Sequence, residues 1–281
     1  MSQAGIQSPA GFILVGATAT GKSRVARWLA EQDGAVILSA DALLVYRGMD
    51  IGTAKPTLSD RARVTYFGVD LVEPHECCHV ALWLQSARAA WAEAARSGRP
   101  LLVVGGTGLY VRCLVEGLSG TAPDPDVRAH WQAVHARDGV AGLRAALQER
   151  APAALAGLAD PMNPRRLIRA LESACAGGDP QHPSARPAPP PMVGLHLSGD
   201  VHKSAIESRV RYMYDHGLVA EALALAARLE PLSETARQAI GYAEALAVGA
   251  GTLSQAQAIA RTAQRTRQYA KRSEEHTSEL Q

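Results

Sequence analysis

The chain has 281 residues, of which 47% are hydrophobic and 20% are charged, and its 29 basic and 27 acidic side chains leave a formal net charge of +2. This composition predicts a globular protein with one large core, or with a core domain and a smaller appended one. A net charge so close to zero does not by itself indicate a polyanion partner, so an argument for nucleic-acid binding needs local clusters of charge.

Membrane and secreted classes are disfavoured by two further features. No apolar run approaches the roughly 18 residues that a membrane span needs, so we expect no membrane segment. The first residues do not resemble a secretion signal. The cysteines lack the paired C-x-x-C spacing of a zinc site and are Cys77, Cys78, Cys113 and Cys175. We therefore expect a cytoplasmic protein whose thiols are reduced.

Short apolar runs bounded by turn residues predict the strands of a sheet. They cover residues 11–15, 35–38, 69–72, 101–104 and 192–197. Their apolar character is continuous instead of alternating, which indicates a parallel sheet covered on both faces. Helical patterns lie between several of these runs, so the predicted class is α/β.

The first strand leads directly into the sequence GATATGKS, which fits the spacing G-x-x-x-x-G-K-[ST] of a phosphate-binding loop. In such a loop the backbone N–H groups cradle phosphate, the lysine neutralises it and the hydroxyl ligates Mg²⁺. Here Lys22 would face a terminal phosphate and Ser23 would hold the metal. The predicted phosphate-binding residues are Gly16, Ala17, Thr18, Ala19, Thr20, Gly21, Lys22 and Ser23.

Two further strand ends carry candidate site residues. The second strand ends at Asp41, and the carboxyl ends of parallel strands line the ligand crevice. Asp41 could act as a base or as a partner of the metal, but a helix cap or a turn is an equally good interpretation. In GGTGLY, after the fourth strand, Thr107 adds a hydroxyl at the same edge. No acid follows that strand, so group transfer is favoured over nucleotide hydrolysis.

The pattern changes to an Ala-rich, Leu-spaced helix between residues 123 and 158, which predicts a helical insertion. The predicted fold is thus a P-loop NTPase-like parallel sheet core with a helical insertion domain. The proline-rich residues 176–191 predict an exposed loop. We place the first part of the core at 8–118, the insertion at 119–160, the second part with the C-terminal helices at 161–272, and a tail at 273–281.

Two basic clusters are candidate phosphate contacts. Arg166 and Arg169 share one helical face, a spacing that suits either a phosphate ligand or a salt bridge to Glu172. The second cluster is a stripe on the last predicted helix, which could follow a nucleic-acid backbone or could simply be a solvated face. Its members are Arg261, Arg265, Arg267, Lys271 and Arg272.

These motifs, in this order, resemble the tRNA dimethylallyltransferase family, which prenylates the adenosine next to the anticodon. The resemblance extends from about residue 11 to residue 272, and MDIGTAKP is its most specific part. The segments that carry it are GATATGKS, DALLVYRGMDIGTAKP, GGTGLY, NPRRLIRALE, IESRV, QAIGYAE and RTRQYAKR.

The resemblance implies that the loop holds the diphosphate of dimethylallyl diphosphate, with Mg²⁺ as the cofactor. It implies that Asp41 accepts a proton from N6 of adenosine 37, that Arg209 stabilises the leaving diphosphate, and that Thr107 hydrogen-bonds near it. The partner would be the anticodon stem-loop of tRNAs that read codons beginning with U, and the enzyme would be a monomer. The implied tRNA contacts are Asp41, Leu44, Arg166, Arg169, Gln238, Arg261 and Arg265.

The chain departs from the family pattern at several positions. Ala42 replaces the usual serine after the aspartate, and Cys78, His79 and Trp83 replace an aromatic residue, a serine and a phenylalanine. The residues SEEHTSELQ, from Ser273 to Gln281, resemble the translation of a sequencing adapter when Arg272 is included. We therefore expect the tail to be non-native, an ordinary polar tail being the alternative.

Two other functions remain open at this stage. One is an isopentenyl transferase or a kinase that acts on a free adenine nucleotide, although such an enzyme needs neither the helical insertion nor the basic C-terminal helix. The other is a binding module gated by a nucleotide, which would bind a partner without depending on Asp41.

Overall fold

The structure is a computed structural model that describes residues 11–115, 124–175 and 190–278. The chain forms two compact units, one of residues 1–115 and 187–281 and the other of residues 116–186. The predicted boundary at 118/119 lies outside the described residues, as does most of the predicted loop at 176–191.

A parallel sheet of five strands lies in the first unit, and its order is β3-β2-β4-β1-β5. In its register Leu14 pairs with Val104 and Ser39 also pairs with Val104 from the other side. The strands are β1 (Gly11–Val15), β2 (Val36–Ser39), β3 (Tyr66–Phe67), β4 (Leu101–Val104) and β5 (Met192–Gly194). The predicted parallel α/β core is confirmed.

The predicted strand at 69–72 is wrong, because the third strand is β3 and Val72 makes only an isolated bridge with Tyr46. Gly68 and Asp70 have φ angles of 76° and 53°. A left-handed backbone at these residues interrupts the extended conformation that a strand requires. The apolar residues there therefore pack without joining the ladder.

The described residues contain twelve helices between and after the strands. They are α1 (Lys22–Asp33), α2 (Leu58–Arg63), α3 (Val80–Ser97), α4 (Gly108–Val115), α5 (Pro125–Arg150), α6 (Pro152–Ala156), α7 (Pro164–Cys175), α8 (Gly199–Asp215), α9 (Leu218–Ala226), α10 (Glu234–Arg237), α11 (Tyr242–Gly249) and α12 (Gln255–Ser278). None of these helices is both long and apolar enough to cross a bilayer.

Both faces of the sheet are buried, which explains the continuous apolar strands. Alternate residues of a strand point to opposite faces. One face packs against α1, through Leu14 and Ala26, among others. The other face joins a larger core with α3 and the C-terminal helices, which includes Ile13, Trp83 and Ile206. The central strands β2 and β4 are therefore covered on both faces.

The second unit contains α5, α6 and α7 around a small core of its own. The buried residues of that core are Trp131, Leu143, Leu147, Leu167 and Leu171. The predicted insertion at 119–160 therefore ends too early, because α7 packs on α5 and belongs to the second unit, residues 116–186. The cause is the apolar stripe of α7, whose Leu167 and Leu171 are completely buried against the other helices.

Helix α12 runs on to Ser278, across the boundary at residue 273 where the predicted non-native tail begins. Ser273 is itself buried. The origin of the tail stays a prediction.

Candidate active site

The phosphate-binding loop has the backbone that its glycines predict. Gly16 and Gly21 have φ angles of 144° and 92°, and Ala19 adopts 63°. A Cβ at Gly16 would lie 2.3 Å from the carbonyl oxygen of Leu195, so only glycine allows the residue after β5 to approach the loop so closely. Gly21 precedes α1, whose first N–H groups are therefore available to an anion.

Hydrogen bonds inside the loop hold its shape. The Oγ1 of Thr20 donates to the carbonyl oxygen of Ala17 at 2.9 Å and is buried, so it serves the loop and does not face a ligand. The Nζ of Lys22 also donates to Ala17. The Nε2 of His202, on α8, lies 2.8 Å from the carbonyl oxygen of Thr18. His202 is a loop contact that the sequence analysis missed.

Three charged groups meet beside this loop. Burial lowers the pKa of Lys22 to about 8, with Asp41 acting in the opposite direction and Arg209 adding to the decrease. Burial likewise lowers the pKa of Arg209, which Asp41 partly offsets. The cations thus repel each other in a poorly solvated place, and an anion bound between them would relieve that repulsion.

The ends of β2 and β4 are joined through Asp41 and Thr107. The backbone N–H of Ala42 donates to the Oγ1 of Thr107 at 3.0 Å, and the backbone N–H of Leu43 donates to the Oδ1 of Asp41 at 2.9 Å. One carboxylate oxygen of Asp41 therefore forms the turn, while the side chain still lies among the charged groups. The interpretations of Asp41 as a turn residue and as a base are compatible.

Arg209 reaches the site from α8. Its Nη2 donates to the carbonyl oxygen of Thr53 at 3.3 Å. Thr53 is buried and belongs to the specific MDIGTAKP segment, to which the sequence analysis gave no structural role. The structure thus brings the predicted catalytic residues Asp41, Thr107 and Arg209 into one region with Lys22.

The lysine of MDIGTAKP is structural. The side chain of Lys55 is completely buried, and its Nζ pairs with the Oδ1 of Asp70 at 2.7 Å and of Asp50 at 2.8 Å. Burial alone would raise the pKa of Asp70, but its bonds to Lys55 and Arg61 outweigh this and lower it. These ion pairs hold the segment 49–55 in place.

Helix α12 contributes a residue that the sequence analysis missed. Burial raises the pKa of Tyr269, Asp41 raises it further, and Arg272 opposes the change. A Cβ placed on Gly106 would lie 3.7 Å from the Oγ of Ser273, one turn further along the same face. Tyr269, which is 43% exposed, therefore lies near Asp41 with part of its side chain in solvent.

Two of the departures from the family pattern, Cys78 and Trp83, both contact Tyr110. Trp83 is completely buried, stacks on Tyr110 with ring centroids 4.4 Å apart, and donates from Nε1 to the carbonyl oxygen of Ser39 at 2.7 Å. The hydroxyl of Tyr110 donates to the Sγ of Cys78 at 3.8 Å. A phenylalanine in place of Trp83 could not form the bond to the end of β2.

The predicted tRNA contacts of the first unit differ in their surroundings. Leu44 is partly buried, while Gln238 and Arg261 are exposed. The Nη1 of Arg265 instead donates to the Oε1 of the buried Glu244 at 2.6 Å. The basic stripe is therefore not a uniformly solvated face.

In the second unit, Arg166 and Arg169 have different surroundings, and each suits a different one of the two interpretations, phosphate ligand or salt bridge. Arg166 is exposed, as a phosphate ligand would be. Arg169 forms the alternative salt bridge, at 3.1 Å to the Oε2 of Glu172, and Arg128 binds the same carboxylate. Burial would raise the pKa of Glu172, but these two arginines outweigh it and lower the pKa.

The residues at the loop could hold Mg²⁺ only together with a bound phosphate, which would supply further ligands to the ion. The described part of the chain has no group of three or more His, Cys, Asp or Glu residues placed to hold a metal. Ser23 is exposed in the first turn of α1 and offers one oxygen. Mg²⁺ commonly takes one or two protein oxygens and completes its shell with substrate phosphates and waters.

The chain matches two protein-family models and is similar in sequence to known proteins. Residues 44–276 match the family described as IPP transferase, and residues 10–65 match the one described as isopentenyl transferase. The chain is 41% identical over 274 residues to the tRNA dimethylallyltransferase of Anaeromyxobacter dehalogenans, covering 92% of this chain and 89% of that one. It is 41% identical over 272 residues to that of Kineococcus radiotolerans, covering 93% and 85%.

The fold of the chain is also similar to that of a solved structure. The tRNA isopentenylpyrophosphate transferase of Bacillus halodurans superposes with a TM-score of 0.64 at 34% identity, covering 95% of this chain and 86% of that one. The chain belongs to the family of the tRNA dimethylallyltransferases.

Proposed function

We propose that the protein transfers the dimethylallyl group of dimethylallyl diphosphate to N6 of adenosine 37 in tRNAs that read codons beginning with U, releasing diphosphate. The observation that carries this proposal is the meeting of Lys22, Arg209 and Asp41 beside a phosphate-binding loop. Two cations suit a diphosphate leaving group, and one carboxylate suits an incoming amine.

In the reaction, the carboxylate of Asp41 serves the attacking amine, and the cations Lys22 and Arg209 serve the leaving diphosphate. The N6 amine attacks C1 of the prenyl group as the bond from C1 to the diphosphate oxygen breaks, and the proton of the amine passes to Asp41. The diphosphate takes the bonding electrons, and its new charge is stabilised by Lys22, Arg209 and the backbone N–H groups of the loop. A Mg²⁺ ion held by Ser23 and the diphosphate would supply further positive charge.

Thr107 has a defined part in this arrangement. Its Oγ1 already accepts a hydrogen bond from the backbone of Ala42, so its own hydrogen is available for an oxygen in the crevice. We assign Thr107 to the oxygen that bridges C1 and the diphosphate.

The acceptor must enter as an unstacked base. A base stacked inside the anticodon arm cannot reach the partly buried carboxylate of Asp41, so the nucleotide is flipped out at a cost of about a few kcal/mol. Exposed basic residues such as Arg166 and Arg261 would offset this cost through contacts with the tRNA backbone. The relatives described above are named as tRNA enzymes, which favours tRNA over a free adenine nucleotide as acceptor. We propose that the enzyme acts as a monomer.

The decisive experiment is mass spectrometry of nucleosides from tRNA incubated with the purified protein, Mg²⁺ and dimethylallyl diphosphate. A parallel reaction offers AMP in place of tRNA. The proposal expects prenylated adenosine only in the tRNA reaction. An unchanged adenosine peak would refute prenyl transfer, and a product from AMP alone would make the free-nucleotide alternative correct.

A further inference from the structure

The segment that supports Arg209 is itself held by one carboxylate. Glu221, in the first turn of α9, accepts three consecutive backbone N–H groups of the segment 50–52. Its Oε2 accepts from Asp50 at 3.0 Å and from Ile51 at 2.7 Å, and its Oε1 accepts from Gly52 at 3.1 Å. Three charge-assisted bonds to successive N–H groups fix the conformation of this turn.

A second contact fixes the carboxylate. The hydroxyl of the buried Tyr242, on α11, donates to the Oε1 of Glu221 at 2.7 Å. Burial and the neighbouring Glu221 raise the pKa of Tyr242, so its hydroxyl stays protonated as a donor. A Cβ at Gly52 would lie 2.5 Å from the Tyr242 ring, so the turn packs directly on that ring.

The turn leads straight to the diphosphate site. Thr53 follows Gly52, its Oγ1 donates to the carbonyl oxygen of Met49 at 2.6 Å, and its own carbonyl oxygen accepts from Arg209. A partly buried guanidinium with a backbone acceptor keeps one orientation. Displacement of the turn would therefore break or redirect the hydrogen bond that orients Arg209.

We infer that Glu221 is a positioning residue for the anion site, acting through the turn at 50–53 to aim Arg209 at the diphosphate. The inference rests on the proposed function for the identity of that diphosphate. Glu221 does not touch the substrate. Glu221 therefore strengthens the binding of the diphosphate and does not influence the binding of tRNA.

The test compares Glu221→Gln with the wild type by titration with inorganic diphosphate and Mg²⁺. Glutamine has the same shape but loses the charge and turns one acceptor into a donor, which faces N–H groups. Because misplacement of a group by about 1 Å can cost up to about 100-fold, we expect the Kd of diphosphate to rise at least ~10-fold. In the prenyl transfer assay the KM of the donor should rise while the KM of tRNA is unchanged.

Asp60→Asn is the matched control. Asp60 is buried and, like Glu221, accepts a backbone N–H, that of Thr57 at 3.0 Å, but its other partners are Arg27 and Arg63. This variant should lose stability and keep the wild-type Kd. Equal weakening in both variants, or an unchanged Kd in Glu221→Gln, would overturn the inference.

Two further readouts keep the outcome decisive. If Glu221→Gln does not fold, Tyr242→Phe removes the hydroxyl that binds Oε1 and lies against Gly52, and an unchanged diphosphate Kd in that variant would also overturn the inference. If the wild type binds diphosphate but prenylates no tRNA, the proposed function fails while the ratio of Kd values still tests Glu221.

Discussion

At the scale of single residues, Asp41 combines a structural and a chemical task. Its Oδ1 closes the turn with Leu43, and its charge acts on Lys22 and Arg209. Since asparagine keeps a side-chain oxygen for the turn but cannot accept a proton, it separates the two tasks.

We therefore expect Asp41→Asn to fold normally and to lose activity. A positioned base contributes about 10²–10⁴-fold to rate, so the single-turnover rate of prenyl transfer should fall by that range. The affinity for tRNA should be nearly unchanged in a filter-binding assay. A variant that keeps more than about one tenth of the wild-type rate would contradict the role of Asp41 as the base.

The second prediction at this scale concerns the pH dependence of anion binding. The pKa of Lys22 in the free protein is lowered to about 8, so the lysine is charged below that pH and neutral above it. Diphosphate binding needs the charged form. We expect the Kd measured by calorimetry to rise as the pH increases through about 8.

Lys22→Arg is the control for this pH dependence, because arginine stays charged over the whole range. Its affinity should be lower, because the guanidinium has a different shape, but it should lack the transition of the lysine. Identical pH profiles in the two proteins would show that the ligand titrates and not Lys22.

At the scale of elements, the end of β2 is held by a neighbouring helix. Trp83 of α3 binds the carbonyl oxygen of Ser39, two residues before Asp41, and stacks on Tyr110. The chain thus uses an indole N–H to fix the strand end that carries Asp41.

Trp83→Phe removes that hydrogen bond and keeps an aromatic ring in the core. We expect the free energy of unfolding to fall by about 1–2 kcal/mol, measured by urea denaturation, because a buried carbonyl loses its donor. Trp83→Ala should cost about 3–5 kcal/mol, since it also leaves a cavity. An unchanged free energy of unfolding in Trp83→Phe would show that the hydrogen bond has no separate role.

For the molecule as a whole, the net charge is only +2, but individual arginines differ in whether they are exposed or paired with a buried carboxylate. Arg261 is exposed, whereas Arg265 pairs with the buried Glu244. The Oε2 of Glu244 is buried without a hydrogen-bond partner among the described residues. Removing Arg265 would leave this carboxylate without its cation.

Changing Arg261 to alanine should therefore affect tRNA binding, whereas changing Arg265 to alanine should affect stability. Arg261→Ala should keep its stability and reduce the slope of log K for tRNA against log salt by about 1. Arg265→Ala should lower the free energy of unfolding by about 1–3 kcal/mol, since a buried acceptor loses its donor. Equal salt slopes in Arg261→Ala and the wild type would exclude Arg261 from the tRNA surface.

Local patterns were sufficient for much of the core. The glycines and Lys22 of the loop, the apolar runs of β1 and β4, and the placement of Asp41 at a strand end all follow from short-range rules. The strand predicted at 69–72 failed because a left-handed residue, Asp70, is stabilised there by Lys55 and Arg61. That stabilisation is not visible in the hydrophobic pattern.

The phosphate loop, the parallel sheet and the family could be predicted from the residues alone, because they depend on residue spacing along short stretches of chain. The fold was needed to show that Glu221 holds the turn at 50–53, that Arg265 pairs with Glu244, and that α7 belongs to the helical unit. The physical reason is that hydrogen bonds and ion pairs between distant segments depend on which helix faces meet. Their residue types alone are equally compatible with solvent or with a ligand.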